Sequence, residues 1–335
     1  MQSAERALAD YGMTAASVRP LDGGLINQTF LVETRDEKFI LQSLNKIFAA
    51  SVHQDIEAIT AYLAAKGMTT PRLLRTQQGG LWTTVEGEVF RLMTFIAGDT
   101  FHRLDSPQRA VAAGALVGRF HAALQDCQHH FVFTRPGAHD TAKHMAFLRD
   151  TVARHPAHPQ FARVQGAAGD ILTAYAALAS LPAVPLRMAH GDLKVSNIIF
   201  DGPRGVALID LDTMAMLPLP IELGDALRSW CNPAAEDTTE TSFALPLFAA
   251  AMEGYLSQAT FLTDDERSAI PLGVMTIALE LAARFCADAL NETYFGWNPQ
   301  RFGSRSEHNL IRGIGQLNVF KSLHAQQQDA ARIVR

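Results

Sequence analysis

The 335-residue sequence predicts an α+β protein of two lobes, a small β-rich lobe over residues 1–97 and a larger helical lobe over residues 98–335. Three observations predict it. Before Ala97-Gly98-Asp99, apolar residues fall in short β-branched and aromatic runs divided by charged turns. After it they recur at helical spacing over long stretches. A single β-like section, residues 186–212, interrupts those helices. With 48% hydrophobic residues the chain has material for a sizeable core.

The elements follow in order. Thr29-Phe30-Leu31-Val32 and Phe39-Ile40-Leu41 read as strands either side of the turn Thr34-Arg35-Asp36-Glu37-Lys38, the first entered through Asp22-Gly23-Gly24. A helix over 51–66 is expected to be capped by Ser51 and ended by Gly67. Strands over 81–85 and 88–95, joined across Glu86-Gly87, complete the first lobe, and residues 94–99 form the hinge. Helical periodicity then covers 107–124, 161–181, 245–256 and 272–290, with a further helix after Gly224. The polar stretch 233–241 reads as a surface loop.

Composition narrows the function. The 29 basic and 34 acidic residues give a net charge of −5, with no general attraction to nucleic acid or anionic lipid. Cys127, Cys231 and Cys286 are odd in number and far apart, so neither a disulfide framework nor a C-x-x-C knuckle is expected. The N-terminus lacks the basic start and apolar stretch of a secretory signal. The best apolar run, 243–252, is too short to span a bilayer and contains Pro246. These features predict a soluble cytoplasmic protein with a small-molecule substrate and no nucleic-acid, membrane or obligate protein partner.

The chemistry concentrates in His190-Gly191-Asp192-Leu193-Lys194-Val195-Ser196-Asn197 and in Leu208-Ile209-Asp210-Leu211-Asp212. A carboxylate, an amine and an amide within six residues, beside short apolar strands, share one tight loop, and Asp210 ends a strand returning to it. Carboxylate plus amide oxygen is a hard donor set suited to Mg²⁺ that keeps waters and phosphate oxygens. A lysine beside that metal suits the γ-phosphate of ATP. A carboxylate outside the metal shell can orient and deprotonate a hydroxyl.

This pattern resembles the catalytic loop and metal aspartate of the protein-kinase-like superfamily, in its branch of aminoglycoside and choline phosphotransferases. Within that branch the chain is similar to the N-acetylhexosamine 1-kinases over about residues 21–323. The likeness includes Gly24-Leu25-Ile26-Asn27, Phe39-Ile40-Leu41-Gln42, Gly224-Asp225-Ala226-Leu227-Arg228, Arg284-Phe285 and Glu307-His308-Asn309-Leu310. The resemblance implies a bilobal protein-kinase-like fold with ATP and Mg²⁺ as cofactors. It further implies Asp192 as the base that contacts the acceptor, Lys194 beside the transferred group, and Asn197 and Asp210 as metal ligands. Gly23, Gly24, Asn27, Gln42, Met93 and Phe95 fall at nucleotide-binding positions, and Thr213, Arg284 and Tyr294 at positions lining a sugar pocket. The implied reaction is transfer to the anomeric hydroxyl of an N-acetylhexosamine. The alternatives are an aminoglycoside, choline or ethanolamine, or homoserine acceptor, and a nucleotide-binding pseudokinase. In departure from the pattern, the glycine segment is only Gly23-Gly24, Gln42 stands where a strand lysine meets the phosphates, and Leu25 replaces a histidine near the sugar.

Several residues carry plainer readings. His129, His130, His139, His144, His155 and His158 suit a solvated helical hairpin better than a metal site, since no H-E-x-x-H spacing is present. His190 is expected to hold the loop by hydrogen bonding. Asp212 is open between a second metal ligand and a charged strand end. Asp225 and Arg228, three apart, can pair and brace the loop. Arg284 has Asp288 one turn on as an intrahelical partner, set against its sugar-contacting position.

Overall fold

The computed structural model describes residues 2–21 and 27–335, and in them the first lobe is one antiparallel sheet faced by helices. Helix α1 (Gln2–Asp10) precedes β1 (Ser17–Leu21), β2 (Gln28–Glu33) and β3 (Lys38–Ser43). Helix α2 (Val52–Ala65), β4 (Thr83–Val85) and β5 (Glu88–Thr94) follow, and the strand order is β1-β2-β3-β5-β4. Alternation along the strands separates two faces. Phe30, Val32, Phe39, Leu41, Phe90 and Leu92 point outward and bury against Ala4, Ala7, Leu8 and Tyr11. The opposite face carries the register pairs Ile40–Met93 and Gln42–Arg91 and looks toward α2 and the second lobe.

The second lobe contains α3 (Pro107–Leu124), α4 (Thr141–Arg154) and α5 (Phe161–Ala177). The short strands β6 (Leu186–Ala189), β7 (Ile198–Asp201), β8 (Arg204–Leu208) and β9 (Ala215–Pro218) follow, paired as β6–β9 and β7–β8. The chain closes with α6 (Leu219–Trp230), α7 (Leu245–Gln258), α8 (Asp264–Ser268), α9 (Ile270–Asn291), α10 (Arg305–Ala325) and α11 (Gln327–Ile333). Helix α9 is the axis, with α4, α5, α6 and α10 packed around it. Helices α3 and α7 meet backbone to backbone, because a Cβ on Gly114 would strike the Ala251 carbonyl and one on Gly254 the Val111 carbonyl. The hinge is stitched to β7 by a reciprocal bridge: Asp99 N–H donates to Phe200 O and Phe200 N–H to Asp99 O, each 2.8 Å. The two-lobed protein-kinase-like architecture expected from sequence is present.

Differences from the expected elements have local causes. Ala4, Ala7 and Leu8 form the apolar stripe of α1, a helix the sequence reading left out. Ser51 has helical backbone angles and makes no side-chain cap, although Gly67, at φ +79°, does follow the helix end. Glu86 and Gly87 both have positive φ, the geometry of a two-residue hairpin, and β4 is only three residues long. Helix α5 stops at Ala177, and α6 begins at Leu219, five residues before Gly224. Helix α9, not 243–252, comes nearest to a membrane span by length and composition, but 89% of its apolar window is buried inside the fold, as a core helix requires. His144 lies on α4, and His155 and His158 in its connection to α5, the helical hairpin expected, whereas His129, His130 and His139 belong to a strap that precedes it. Asp55 of α2 lies 2.7 Å from His129 Nε2 and accepts the Val132 and Phe133 N–H groups, while α4 starts only at Thr141.

Candidate active site

The loop over residues 190–197 is held by its backbone. Glu222 of α6 is buried, and its two oxygens accept the N–H groups of His190 (2.7 Å) and Gly191 (2.9 Å). The His190 ring spans Ile209 and Asp192. Its Nε2 is 2.9 Å from the Ile209 carbonyl, the geometry of a donor, which leaves Nδ1 to accept from Asp192 N–H at 3.3 Å. His190 is thus the brace expected. Thr213 Oγ1 donates to His190 O at 2.9 Å, and Trp230 Nε1 to Leu193 O at 2.7 Å. Gly191 sits at φ +80° with the Thr213 carbonyl where a Cβ would go, so side chains are excluded on two counts. Burial pushes the Glu222 carboxyl up, but His121, His190 and the Gly191 N–H outweigh it and hold the group below its usual range.

On this frame Lys194 Nζ donates to Asp192 Oδ2 at 2.7 Å. Asn197 Nδ2 donates to the Asp192 carbonyl (2.8 Å) and to Oδ2 (3.2 Å), which turns its Oδ1 away as the remaining acceptor. Ile209 N–H bonds Asn197 O at 2.9 Å and brings Asp210 to the same place. Asp210 adopts the left-handed conformation, φ 65° and ψ 59°, a strained backbone of the kind kept at functional sites. Its carboxylate accepts no hydrogen bond among the described residues. Burial, then the Asp212 and Asp192 charges, raise its proton affinity against the pull of Lys194 and Arg91. Burial tends to discharge Lys194, yet Asp192, Asp210 and Asp225 prevail and keep the ammonium charged. An unsatisfied carboxylate beside an outward amide oxygen, in a cluster of acids, is a donor set that fits a hard divalent cation.

On the nucleotide side, Gly23 and Gly24 lie outside the described residues. Gln42 is occupied at both ends: Oε1 accepts from Arg91, and Nε2 donates to Thr29 Oγ1 at 3.0 Å. Arg91 was missed by the sequence reading. It is 1% exposed, pairs with Asp212 through both Nη atoms, and bonds Gln42 through Nε (2.9 Å) and Nη2 (2.6 Å). Asn27 adds Nδ2 to Asp212 Oδ2 at 2.7 Å. Asp212 is therefore no free strand end: Arg91 and Asn27 bond its oxygens. The signal was a lone arginine in the apolar strand Glu88-Val89-Phe90-Arg91-Leu92-Met93. Met93 is buried in the core beside Leu73, and Phe95 is partly exposed under Lys38 Nζ.

On the acceptor side, Arg228 pairs with Asp225 (2.9 Å) and reaches Glu236 (3.5 Å). The intrahelical Arg284–Asp288 pair, the plainer of the two readings, does not form. Arg284 approaches Glu280 at 3.9 Å and faces the rings of Tyr294 (5.8 Å) and Phe295 (5.7 Å). Asp288 instead accepts the N–H groups of Thr293, Tyr294 and Phe295 and the Asn309 amide, which shapes the turn that presents Tyr294. Glu280 also accepts from Thr141 Oγ1 (2.6 Å) and lies 3.2 Å from His139 Nδ1. Burial opposes protonation of His139, but Glu280, Asp225 and Glu222 raise its affinity overall. Asp225 is held ionised against burial by Arg228, His139 and Arg284, so these side chains form one field around the entrance to Lys194. A cavity of about 940 Å³ runs between the 125–140 strap and the β6–β9 ladder, reaching the loop at Gly191. Thr213 and His139 line it; Arg284 and the 61%-exposed Tyr294 do not.

Comparison with known proteins agrees with this architecture. The family model described as "APH: Phosphotransferase enzyme family" matches residues 17–256. The homoserine kinase of Gluconobacter oxydans strain 621H is 27% identical over 287 residues, 85% of either chain. Among solved structures, amicoumacin kinase hAmiN, in complex with AMP-PNP, Ca²⁺ and Ami, superposes with a TM-score of 0.65 at 14% identity over 94% of this chain and 91% of that one. A microcompartment-associated aminopropanol kinase gives 0.64 at 16% identity over 98% of both chains.

Proposed function

The chain belongs to the phosphotransferase enzyme family, and from that premise we propose that this ATP-dependent small-molecule kinase phosphorylates a hydroxyl of a homoserine-type acceptor. The observation that carries the transfer chemistry is the joined loop of Asp192, Lys194, Asn197 and Asp210. Asp192 takes the proton of the acceptor hydroxyl as its oxygen bonds the γ-phosphorus of ATP and the bond from that phosphorus to the β-phosphate oxygen breaks, with ADP as the leaving group. Lys194, bonded to Asp192 Oδ2, fixes which oxygen faces the acceptor and carries positive charge toward the transferred group. Mg²⁺, held by Asn197 and Asp210, supplies neutralisation of phosphate charge when bound. Most of the rate comes from position and charge and little from covalent chemistry.

The curated relatives support placing homoserine ahead of the N-acetylhexosamine expected from sequence. Paired acids and guanidinium groups near the loop, Asp225 with Arg228 and Glu280 with Arg284, are of the kind that suits the ammonium and carboxylate of such a compound. The second reading, an N-acetylhexosamine, is favoured by Arg284 beside the exposed Tyr294, a donor fork next to an aromatic face. An ATP-consumption assay over homoserine, N-acetylhexosamines, choline and aminoglycosides, with phosphorus NMR of the product, decides between them. Phosphate on the side-chain hydroxyl of homoserine supports the first reading. A sugar 1-phosphate replaces it with the second. Magnesium-dependent ATP binding without turnover on any acceptor defeats both.

A further inference from the structure

We propose that Arg91 is a positioning residue for the nucleotide: through Asp212 it fixes the Asp210 turn of one lobe against the nucleotide-facing sheet of the other, while making no phosphate contact itself. The inference rests on the phosphotransferase reading and goes beyond it, because nothing in the family chemistry requires a charge at this strand position.

The argument starts from cost. Arg91 and Asp212 are each 1% exposed and lie 121 residues apart in sequence, one on β5 and the other in the turn after Asp210. Taking two such charges from water costs several kcal/mol, and well-packed apolar replacements for a buried pair are often neutral or stabilising. Stability alone therefore gives little reason for the pair, whereas fixing the relative position of two elements does.

The donors say what is fixed. A guanidinium has five N–H groups. Arg91 uses one on Nε and one on Nη2 for Gln42, a second on Nη2 for Asp212 Oδ2, and one on Nη1 for Asp212 Oδ1. With four of the five engaged inside the protein, the side chain is a tie and not a ligand hand. Gln42, its register partner on β3, is likewise consumed by Arg91 and Thr29. The other partner of Asp212 is Asn27, whose Oδ1 also accepts the Asn45 N–H at 2.9 Å. One carboxylate therefore joins the residue that follows the glycine segment, the inner face of the sheet, and the backbone two residues past Asp210.

The surroundings reinforce that reading. The buried faces of α2 turn His53 and Asp55 inward. Asp55 is occupied by the 129–133 strap, and His53, stacked on Trp82, is pushed by burial and by Arg91 down to about 4 and stays neutral. Among the described residues Asp212 is the only carboxylate bonded to the Arg91 guanidinium.

The test pairs binding with stability. Arg91→Met with Asp212→Leu removes both charges together, the replacement that buried ion pairs tolerate, and Arg91→Lys keeps a charge that cannot span Gln42 and Asp212 at once. Calorimetric titration of the full-length protein with a magnesium complex of a non-hydrolysable ATP analogue is read beside the melting temperature. We expect both variants to fold cooperatively, melting below the wild type as Gln42 or Asn27 loses a partner, and, while folded, to bind the nucleotide roughly 10- to 100-fold more weakly, the loss usual when a residue orienting a metal ligand is removed. The Michaelis constant for the acceptor should stay within about two-fold. If the apolar pair does not fold, Arg91→Lys carries the same expectation. Wild-type affinity in a folded variant overturns the inference alone. A wild-type protein that fails to bind the nucleotide overturns the phosphotransferase reading and this inference with it.

Discussion

Replacing Glu222 tests whether the catalytic loop is built from its backbone upward. Glu222→Ala leaves the N–H groups of His190 and Gly191 buried without acceptors, since Glu222 alone receives both. An unsatisfied buried donor costs about 1–3 kcal/mol, so the pair predicts a loss of about 2–6 kcal/mol in urea unfolding. Glu222→Gln keeps one acceptor and presents an amide N–H to the other donor, so its loss should be about half as large. The acid limb separates charge from shape. Because folding holds the Glu222 carboxyl below its usual 4.5, the unfolded chain binds that proton more readily. The stabilisation from charge is complete above about 4.5 and is lost as pH falls through the folded value. The stability gap between wild type and Glu222→Gln should therefore be constant at neutral pH and shrink only below that point. Turnover should fall as well, by about a hundred-fold if Asp192 moves by about an ångström. If Glu222→Ala unfolds at the wild-type urea concentration and turns over normally, the loop is not anchored through α6 and the site description is wrong.

Other expectations follow from the same geometry. Asp192→Asn should cut turnover by at least about 100-fold while leaving nucleotide affinity nearly intact, measured by single-turnover kinetics and calorimetry; full activity would remove Asp192 as the base. Arg284→Lys should raise the Michaelis constant for the acceptor roughly ten- to a hundred-fold without changing that for ATP; equal effects on both would mean that Arg284 only braces α9. Asp288→Ala frees the turn at Thr293–Phe295 and should cost about 1–3 kcal/mol of stability together with weaker acceptor binding; an unchanged acceptor constant would remove Tyr294 as an acceptor contact.

The two-lobed plan and the grouping of Asp192, Lys194, Asn197 and Asp210 can be read from the chain alone. Alternating strands and the 3.6-residue periodicity of α3, α7 and α9 are local patterns, legible because burying one face of an element leaves a repeat along the chain. Asp192, Lys194, Asn197 and Asp210 were legible for a related reason: three of them share one turn, and the fourth ends the next hairpin. Which charges meet across the lobes cannot be read that way, because it follows from how the sheet and helices dock. Nothing beside Asp212 in the chain announces Arg91, 121 residues away, on its carboxylate. Arg284 had an obvious partner one turn on, yet Asp288 turned to cap the Thr293–Phe295 turn and Glu280 took its place. Pairing between distant residues is set by how the sheet and helices dock, and docking leaves no periodic trace in either segment. A buried charge takes whichever partner the packing brings within hydrogen-bond reach, so its role is settled in three dimensions.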